Sequence, residues 1–216
     1  MTFAREAWPF VSPFVLASVA LFAWGQPRWA SAALVGGLLV LLFFRDPTRR
    51  FAGPDSIVLA PADGTITEIS QVEDAEIGAG RFHRVVTFLS VFDVHVQRCP
   101  VSGRVVHSRP RRGLKLAAFR PEVGEKNQAH TNVFLRPNGD RVAVRQLAGL
   151  LARRVVSYLD EGQERRRGEL LGVIKFGSRV DLFVPETYAV LVQPGQKVRN
   201  GETPLAQAPE VGHDSP

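Results

Sequence analysis

The chain has 216 residues, 45% of them hydrophobic, with 27 Lys and Arg against 21 Asp and Glu, a formal charge of +6 and a pI near 10.2. That length holds one soluble domain and something small, and the basic balance favours anionic partners, whether nucleic acid or anionic lipid. The single cysteine, Cys99, excludes an intrachain disulfide and a CxxC metal site, and the five histidines form no HxxxH or denser spacing, so no metal is expected.

The chain opens on two apolar runs. Residues 8–25 read WPFVSPFVLASVALFAWG and residues 29–44 read WASAALVGGLLVLLFF, each without a charge, with Gln26-Pro27-Arg28 between them. At ~1.5 Å per residue the second run spans roughly 24 Å, short of a ~30 Å hydrocarbon core, so the pair either spans with help from its flanks or dips in and returns. A signal peptide is disfavoured, because no strongly basic stretch precedes the first run and a second run follows at once. A buried hairpin in a soluble core has the same composition. Trp8, Trp24 and Trp29 stand at run ends, where interfacial aromatics sit, and favour a membrane hairpin over residues 1–50. Arg45, Arg49 and Arg50 outnumber the lone Arg28 of the connecting loop. The positive-inside rule then places both termini and the main domain on the cytoplasmic side of the cell membrane.

Residues 51–216 change pattern to short runs bounded by Gly, Pro and Asp. Strands are expected at 56–59, 65–69, 84–89, 101–107, 131–136, 141–147 and 179–184, with a hairpin at Asn138-Gly139. Residues 147–159 suit a strand or a short helix. In VFDVHV, strand alternation puts Asp93 and His95 on one face and Phe92, Val94 and Val96 on a core face. The phrases PADGTITEI (61–69) and PVSGRVVHS (100–108) share P-x-x-G-x-[IV], and PGQKVRNGE (194–202) sets two glycine turns around one short strand. Such phrases occur in biotinyl- and lipoyl-type folds, so the expected class is mainly β, a flattened barrel or sandwich behind a helical hairpin. No hairpin-tip lysine for a carried cofactor is visible.

KFGSRVDLFVP (175–185) places a Gly-Ser pair at the start of an alternating apolar run. Glycine leaves the Gly177 carbonyl open, and the Ser178 hydroxyl is one residue away. A deprotonated Ser178 can attack that carbonyl, shift the acyl group from nitrogen to oxygen, and after β-elimination leave a pyruvoyl group at position 178. This needs a base, and the base needs an orienting carboxylate. Most Gly-Ser pairs are turns, and the dipeptide by itself does not establish the chemistry.

Three phrases together do more. LAPADGTI (59–66), FLSVFDVHVQRCPVSG (88–103) and KFGSRVDLFVP resemble, in order, the phosphatidylserine decarboxylase proenzyme family, closest to its short bacterial branch and over roughly residues 45–205. The resemblance implies self-cleavage between Gly177 and Ser178 into a β chain, 1–177, and an α chain, 178–216, that stay together. It implies a pyruvoyl cofactor made from Ser178, with no pyridoxal phosphate and no metal, that forms a Schiff base with the amine of phosphatidylserine and accepts electrons as carbon dioxide leaves. An anionic membrane is the expected partner, and nucleic acid is not. Carried over residue by residue, Asp63 matches the carboxylate of the self-cleavage triad, Asp93 and His95 the D-x-H pair, and His95 the proton-transfer residue. Longer relatives have a second histidine where this chain has Arg98, which leaves His83, His107 and His130 as other candidates for the cleavage base. Arg98 and Asn132, the latter in KNQAHTN, are candidate substrate contacts. The basic runs 109–115 and 165–167 read as solvated loops, or as contacts to phosphate headgroups. The alternatives are a non-catalytic basic protein that binds membrane surfaces or nucleic acid, an uncleaved member of the fold, and a serine hydrolase without a G-x-S-x-G motif.

Overall fold

The protein is described from a computed structural model that covers residues 2–114, 126–149, 155–174 and 178–209. It is mainly β, 43% strand against 20% helix. Strand β1 (Thr2–Phe3) precedes helix α1 (Trp8–Ala23), helix α2 (Pro27–Phe43) and strand β2 (Arg45–Asp46). Pairing of β1 with β2 closes the foot of the helical hairpin. The helices pack where Phe14 lies over Gly36 and Gly37, and the Ser18 hydroxyl donates to the Ala30 carbonyl at 2.9 Å.

The hairpin is not the core of a soluble fold. Leu16, Phe22 and Leu39 remain 69%, 71% and 63% exposed, and a buried apolar side chain of this size gains ~1.5–3 kcal/mol over an exposed one. Residues Arg5–Ala23 form one helix long and apolar enough to cross a membrane, while Pro27–Phe43 is shorter.

The strands that follow are β3 (Ile57–Leu59), β4 (Gly64–Glu73), β5 (Arg81–Leu89), β6 (Val96–Arg98), β7 (Gly103–Arg111), β8 (Ala129–Leu135), β9 (Arg141–Ala148), β10 (Val155–Ser157), β11 (Glu164–Arg165), β12 (Leu170–Ile174), β13 (Ser178–Pro185), β14 (Ala189–Val190), β15 (Lys197–Val198) and β16 (Pro204–Gln207). Eight form one curled sheet in the order β11-β7-β8-β9-β13-β5-β4-β15. Two three-stranded sheets, β10-β12-β6 and β14-β16-β3, cover its inner face. The main core lies between them and includes Val85, Leu89, Phe134, Val144, Leu171, Ile174, Val180 and Leu182.

All seven expected strands are present, several longer than expected, and the 147–159 stretch contributes strand β10, with 150–154 outside the described residues. The Asn138-Gly139 hairpin joins β8 to β9, with Gly139 at φ +87°. The P-x-x-G echo has a shared physical cause. A Cβ on Gly64 would stand 2.2 Å from the Phe88 carbonyl oxygen, and one on Gly103 2.5 Å from that of Leu135. In both phrases the glycine lets a strand begin hard against its neighbour's backbone.

One expectation fails. Residues 91–95 are a turn, not a strand, and β6 begins only at Val96. The Ser90 amide donates to the Asp93 carboxylate at 2.8 Å, and the Asp93 amide donates to the Ser90 carbonyl at 3.1 Å. These local bonds compete with a strand ladder. Phe92 is therefore 83% exposed rather than in the core, and His95 is fully buried.

Candidate active site

The C-terminal end of β5 gathers the three phrases. Because its neighbours run antiparallel, the starts of β4 and β13 both meet that end: Thr65 pairs with Phe88, and position 178 pairs with Leu89. The 90–95 turn leaves from the same place. On its other edge position 178 pairs with Ala148 of β9. Gly177 lies outside the described residues. Arg179 and Asp181 do not enter the site. They pair with each other through two hydrogen bonds of 2.6 and 2.8 Å, both buried, while Val180 and Leu182 between and beyond them join the main core.

His95 is held on three sides. Its Nδ1 lies 2.9 Å from the Asp93 carbonyl, which only accepts, so Nδ1 carries the proton and Nε2 keeps its lone pair. The Phe43 ring lies over the imidazole with centroids 4.0 Å apart. The His95 carbonyl accepts from the Ile174 amide at 3.2 Å and from the Gln97 side chain at 2.7 Å. Burial lowers its pKa from 6.5 to about 4, so the ring is neutral at pH 7. Nε2 is buried and has no hydrogen-bond partner among the described residues.

Asp63 reaches this region without touching the imidazole. Its carboxylate accepts from the Asn200 amide at 2.7 Å and from Arg49 at 2.9 Å. The Asn200 side chain in turn donates to the Val96 carbonyl at 2.9 Å, next to His95. Burial raises the Asp63 pKa, against the pull of the Asn200 amide and Arg49. Asp93 orients His95 through its main-chain carbonyl and uses its carboxylate to close the turn.

The other candidates stand further off. Arg98 pairs with Asp46 and donates to the Gly168 carbonyl, on the outer side of β6. Asn132 sits on β8, two strands from β13 or roughly 10 Å. The Ser108 and Ser157 hydroxyls grip it at 2.9 and 3.0 Å. His83 bonds the Glu186 carbonyl at the far end of β5, His107 bonds Glu76, and His130 bonds Ser108.

Sequence reasoning missed Thr87, Gln97 and Gln146. Thr87, Val180 and Gln146 form one row across β5, β13 and β9, next to the row that holds position 178. Gln146 donates to Gln97 at 2.9 Å, and Gln97 donates to the His95 carbonyl. Thr87 Oγ1 and Gln146 Oε1 are buried without a partner among the described residues, like His95 Nε2. Each such atom costs ~1–3 kcal/mol when it is left without a partner. The available signal was a polar residue at an inward position of an apolar alternation, as in Val142, Val144, Gln146.

Residues 37–206 match the family model for phosphatidylserine decarboxylase. The chain belongs to the phosphatidylserine decarboxylase family. It is similar to the phosphatidylserine decarboxylase proenzyme of Symbiobacterium thermophilum, 42% identical over 210 residues, 96% of each chain. The proenzyme of Saccharopolyspora erythraea is 42% identical over 205 residues, 92% of this chain and 87% of that one. That of Paramagnetospirillum magneticum is 39% identical over 206 residues, 94% and 85% of the two chains. Membership makes this chain a decarboxylase family enzyme, and the end of β5 is where the phrases that carried the family resemblance converge.

Proposed function

We propose that the chain cleaves itself between Gly177 and Ser178 and then decarboxylates phosphatidylserine to phosphatidylethanolamine through a pyruvoyl group at position 178. The observation that carries this reading is a buried neutral histidine, with its Nε2 lone pair unused, on the turn that leaves β5 where position 178 pairs with Leu89, in a chain whose relatives are named proenzymes.

For cleavage, His95 takes the Ser178 hydroxyl proton, and the oxygen adds to the Gly177 carbonyl. The Gly177–Ser178 C–N bond breaks, the amine gains a proton and an ester links the two residues. Loss of the Ser178 Cα proton then breaks its Cβ–O bond, leaving Gly177 a carboxylate and position 178 dehydroalanine. Tautomerisation to the imine and addition of water expel ammonia. Asp63 supports the step through Asn200, which steadies the backbone beside His95.

The residues present fit a pyruvoyl group there, since Thr87 Oγ1 and Gln146 Oε1, buried without partners among the described residues, stand in the neighbouring row, and His95 Nε2 on the 90–95 turn is a third such atom. That group supplies an electrophilic carbonyl for the substrate amine and a sink for the electrons left by carbon dioxide. Gln97 and Gln146 hold the backbone of His95 in register with β13. His95 Nε2 takes up a proton shed by the substrate ammonium and returns it to the carbon that the carboxylate has left, a step of general acid catalysis. Residues 1–50 serve as the membrane anchor and 51–216 as the catalytic domain on the cytoplasmic side. The exposed apolar helix faces, and Trp8, Trp24 and Trp29 near three of the four helix ends, support that division.

The experiment is a denaturing gel with mass analysis and Edman degradation. Wild-type protein should give fragments 1–177 and 178–216, the smaller one blocked to Edman chemistry because pyruvoyl has no amine. Ser178→Ala should give one intact chain. A wild-type chain that stays whole while releasing carbon dioxide from phosphatidylserine would falsify the proposal.

A further inference from the structure

A cavity of about 740 Å³ on the outer side of β6 is lined by five arginines, Arg49, Arg98, Arg165, Arg166 and Arg167, against the carboxylates of Asp46 and Glu169. Four of the arginines are engaged: Arg49 with Asp63 and Glu202, Arg98 with Asp46, Arg165 with Glu169, and Arg167 with the Gly53 and Pro54 carbonyls. Arg166 is exposed, and its side chain has no hydrogen-bond or ion-pair partner among the described residues. It nevertheless stands on a fixed turn. The Glu169 amide donates to the Arg166 carbonyl at 3.1 Å, the Arg167 amide to the Ser102 hydroxyl at 3.0 Å, and the Gly168 amide to the Cys99 carbonyl at 2.9 Å. The backbone beneath this guanidinium is fixed, so only the side chain has to be ordered when it meets an anion.

A second cavity of about 450 Å³ shares Asp46, Tyr158 and Leu170 with the first and continues to Thr2, Phe3 and Arg5 at the foot of the hairpin. Phe3 and Leu170 are 41% and 39% exposed there. The two cavities together are cationic at one end and partly apolar at the end nearest the helices. A free phosphate has no use for the apolar end, whereas a glycerophospholipid has both parts. Neither cavity is lined by His95, Thr87, Gln146 or position 178. Strand β6 separates the two regions: it sends Gln97 to Gln146, and Val96 and Arg98 to the cavities.

We infer that this groove is a second lipid site, distinct from the catalytic one, in which Arg166 binds the phosphate of an anionic glycerophospholipid whose glycerol end lies toward Phe3 and Leu170. It is independent of the reaction assigned to Ser178.

The test uses the full-length protein in phosphatidylcholine nanodiscs with and without phosphatidylglycerol, which lacks the amine and carboxylate of phosphatidylserine. Native mass spectrometry reads the lipid retained. Phosphatidylglycerol should be retained in preference to phosphatidylcholine, and Arg166→Glu should weaken that preference about tenfold or more. Arg81→Glu, an exposed arginine at the far end of β5, should leave it unchanged. Undiminished retention in Arg166→Glu, or equal loss in Arg81→Glu, overturns the site. Displacement by millimolar inorganic phosphate assigns the groove to free phosphate and overturns the lipid. A wild-type chain that retains phosphatidylglycerol but does not cleave leaves this inference standing and removes the role of Ser178.

Discussion

Phe43, the last residue of the second apolar helix, lies against the imidazole of His95 with ring centroids 4.0 Å apart. Arg45, two residues on, donates to the Phe92 carbonyl at 2.6 Å, so the hairpin both covers and tethers the turn that carries the histidine. Phe43→Ala should destabilise the protein by ~3 kcal/mol and admit water beside His95, raising its pKa from about 4 toward 6.5. The check is an NMR titration of the ring beside a denaturation curve. Deleting residues 1–44 should accordingly slow self-cleavage as well as release the protein from membranes. Full-rate cleavage by the truncated chain would show that the hairpin is an anchor alone.

His95→Ala should impair both cleavage and turnover, by roughly 10²–10⁴-fold in a step that depends on proton transfer. Asp63→Asn should slow cleavage more than turnover, because its carboxylate reaches the histidine only through Asn200 and the Val96 carbonyl. Fragment yield on a gel and carbon dioxide release from labelled phosphatidylserine read the two steps separately. Normal values of both in His95→Ala would transfer the role to His130, which pairs with Gln146 on the inner side of the sheet, whereas His83 lies at the far end of β5.

Gln146→Leu separates function from stability. It removes the unpartnered Oε1 and the bond that holds Gln97. The variant leaves the buried Gln97 Oε1 without its donor, a cost of ~1–3 kcal/mol, and at the same time removes an unpartnered oxygen of similar cost, so the melting temperature should change little while kcat falls. A variant that loses stability and activity in proportion would make Gln146 a packing residue only.

The pH dependence follows from His95. Its folded pKa is lowered to about 4 from 6.5, so between those values the unfolded chain binds more protons than the folded one, and stability rises with pH. The contribution is fully present above pH 6.5 and is lost as pH falls toward 4, up to ~3 kcal/mol in all. Denaturation midpoints across that window should show the slope in wild type and a smaller one in His95→Gln. Identical slopes would mean that His95 is not buried as described.

Gly64→Ala should be severe, on the order of 2–4 kcal/mol, because the added Cβ meets the Phe88 carbonyl oxygen and the strand start must move. Cleavage should fail with it, since Asp63 moves too. The measurement is a denaturation curve beside fragment yield, and a stable, cleaving variant would contradict it.

Much of this was legible in the chain itself. Strands show because alternation in runs such as Arg141–Ala148 and Ser178–Pro185 is a local property of one buried and one covered face. The hairpin shows because uncharged length is local too, and Asn138-Gly139 because only a few residues accept positive φ. The family phrases singled out Ser178, His95, Asp63 and Asp93 as residues. What the chain did not contain was their arrangement. The 90–95 segment reads as a strand until the Ser90–Asp93 bonds are seen to close it into a turn. Phe43 is more than fifty residues from His95 in sequence, and Gln146, Gln97 and Thr87 come from three different strands. Their meeting at one end of β5 depends on antiparallel register and on packing between sheets, and these are set by contacts between distant segments that no local pattern records.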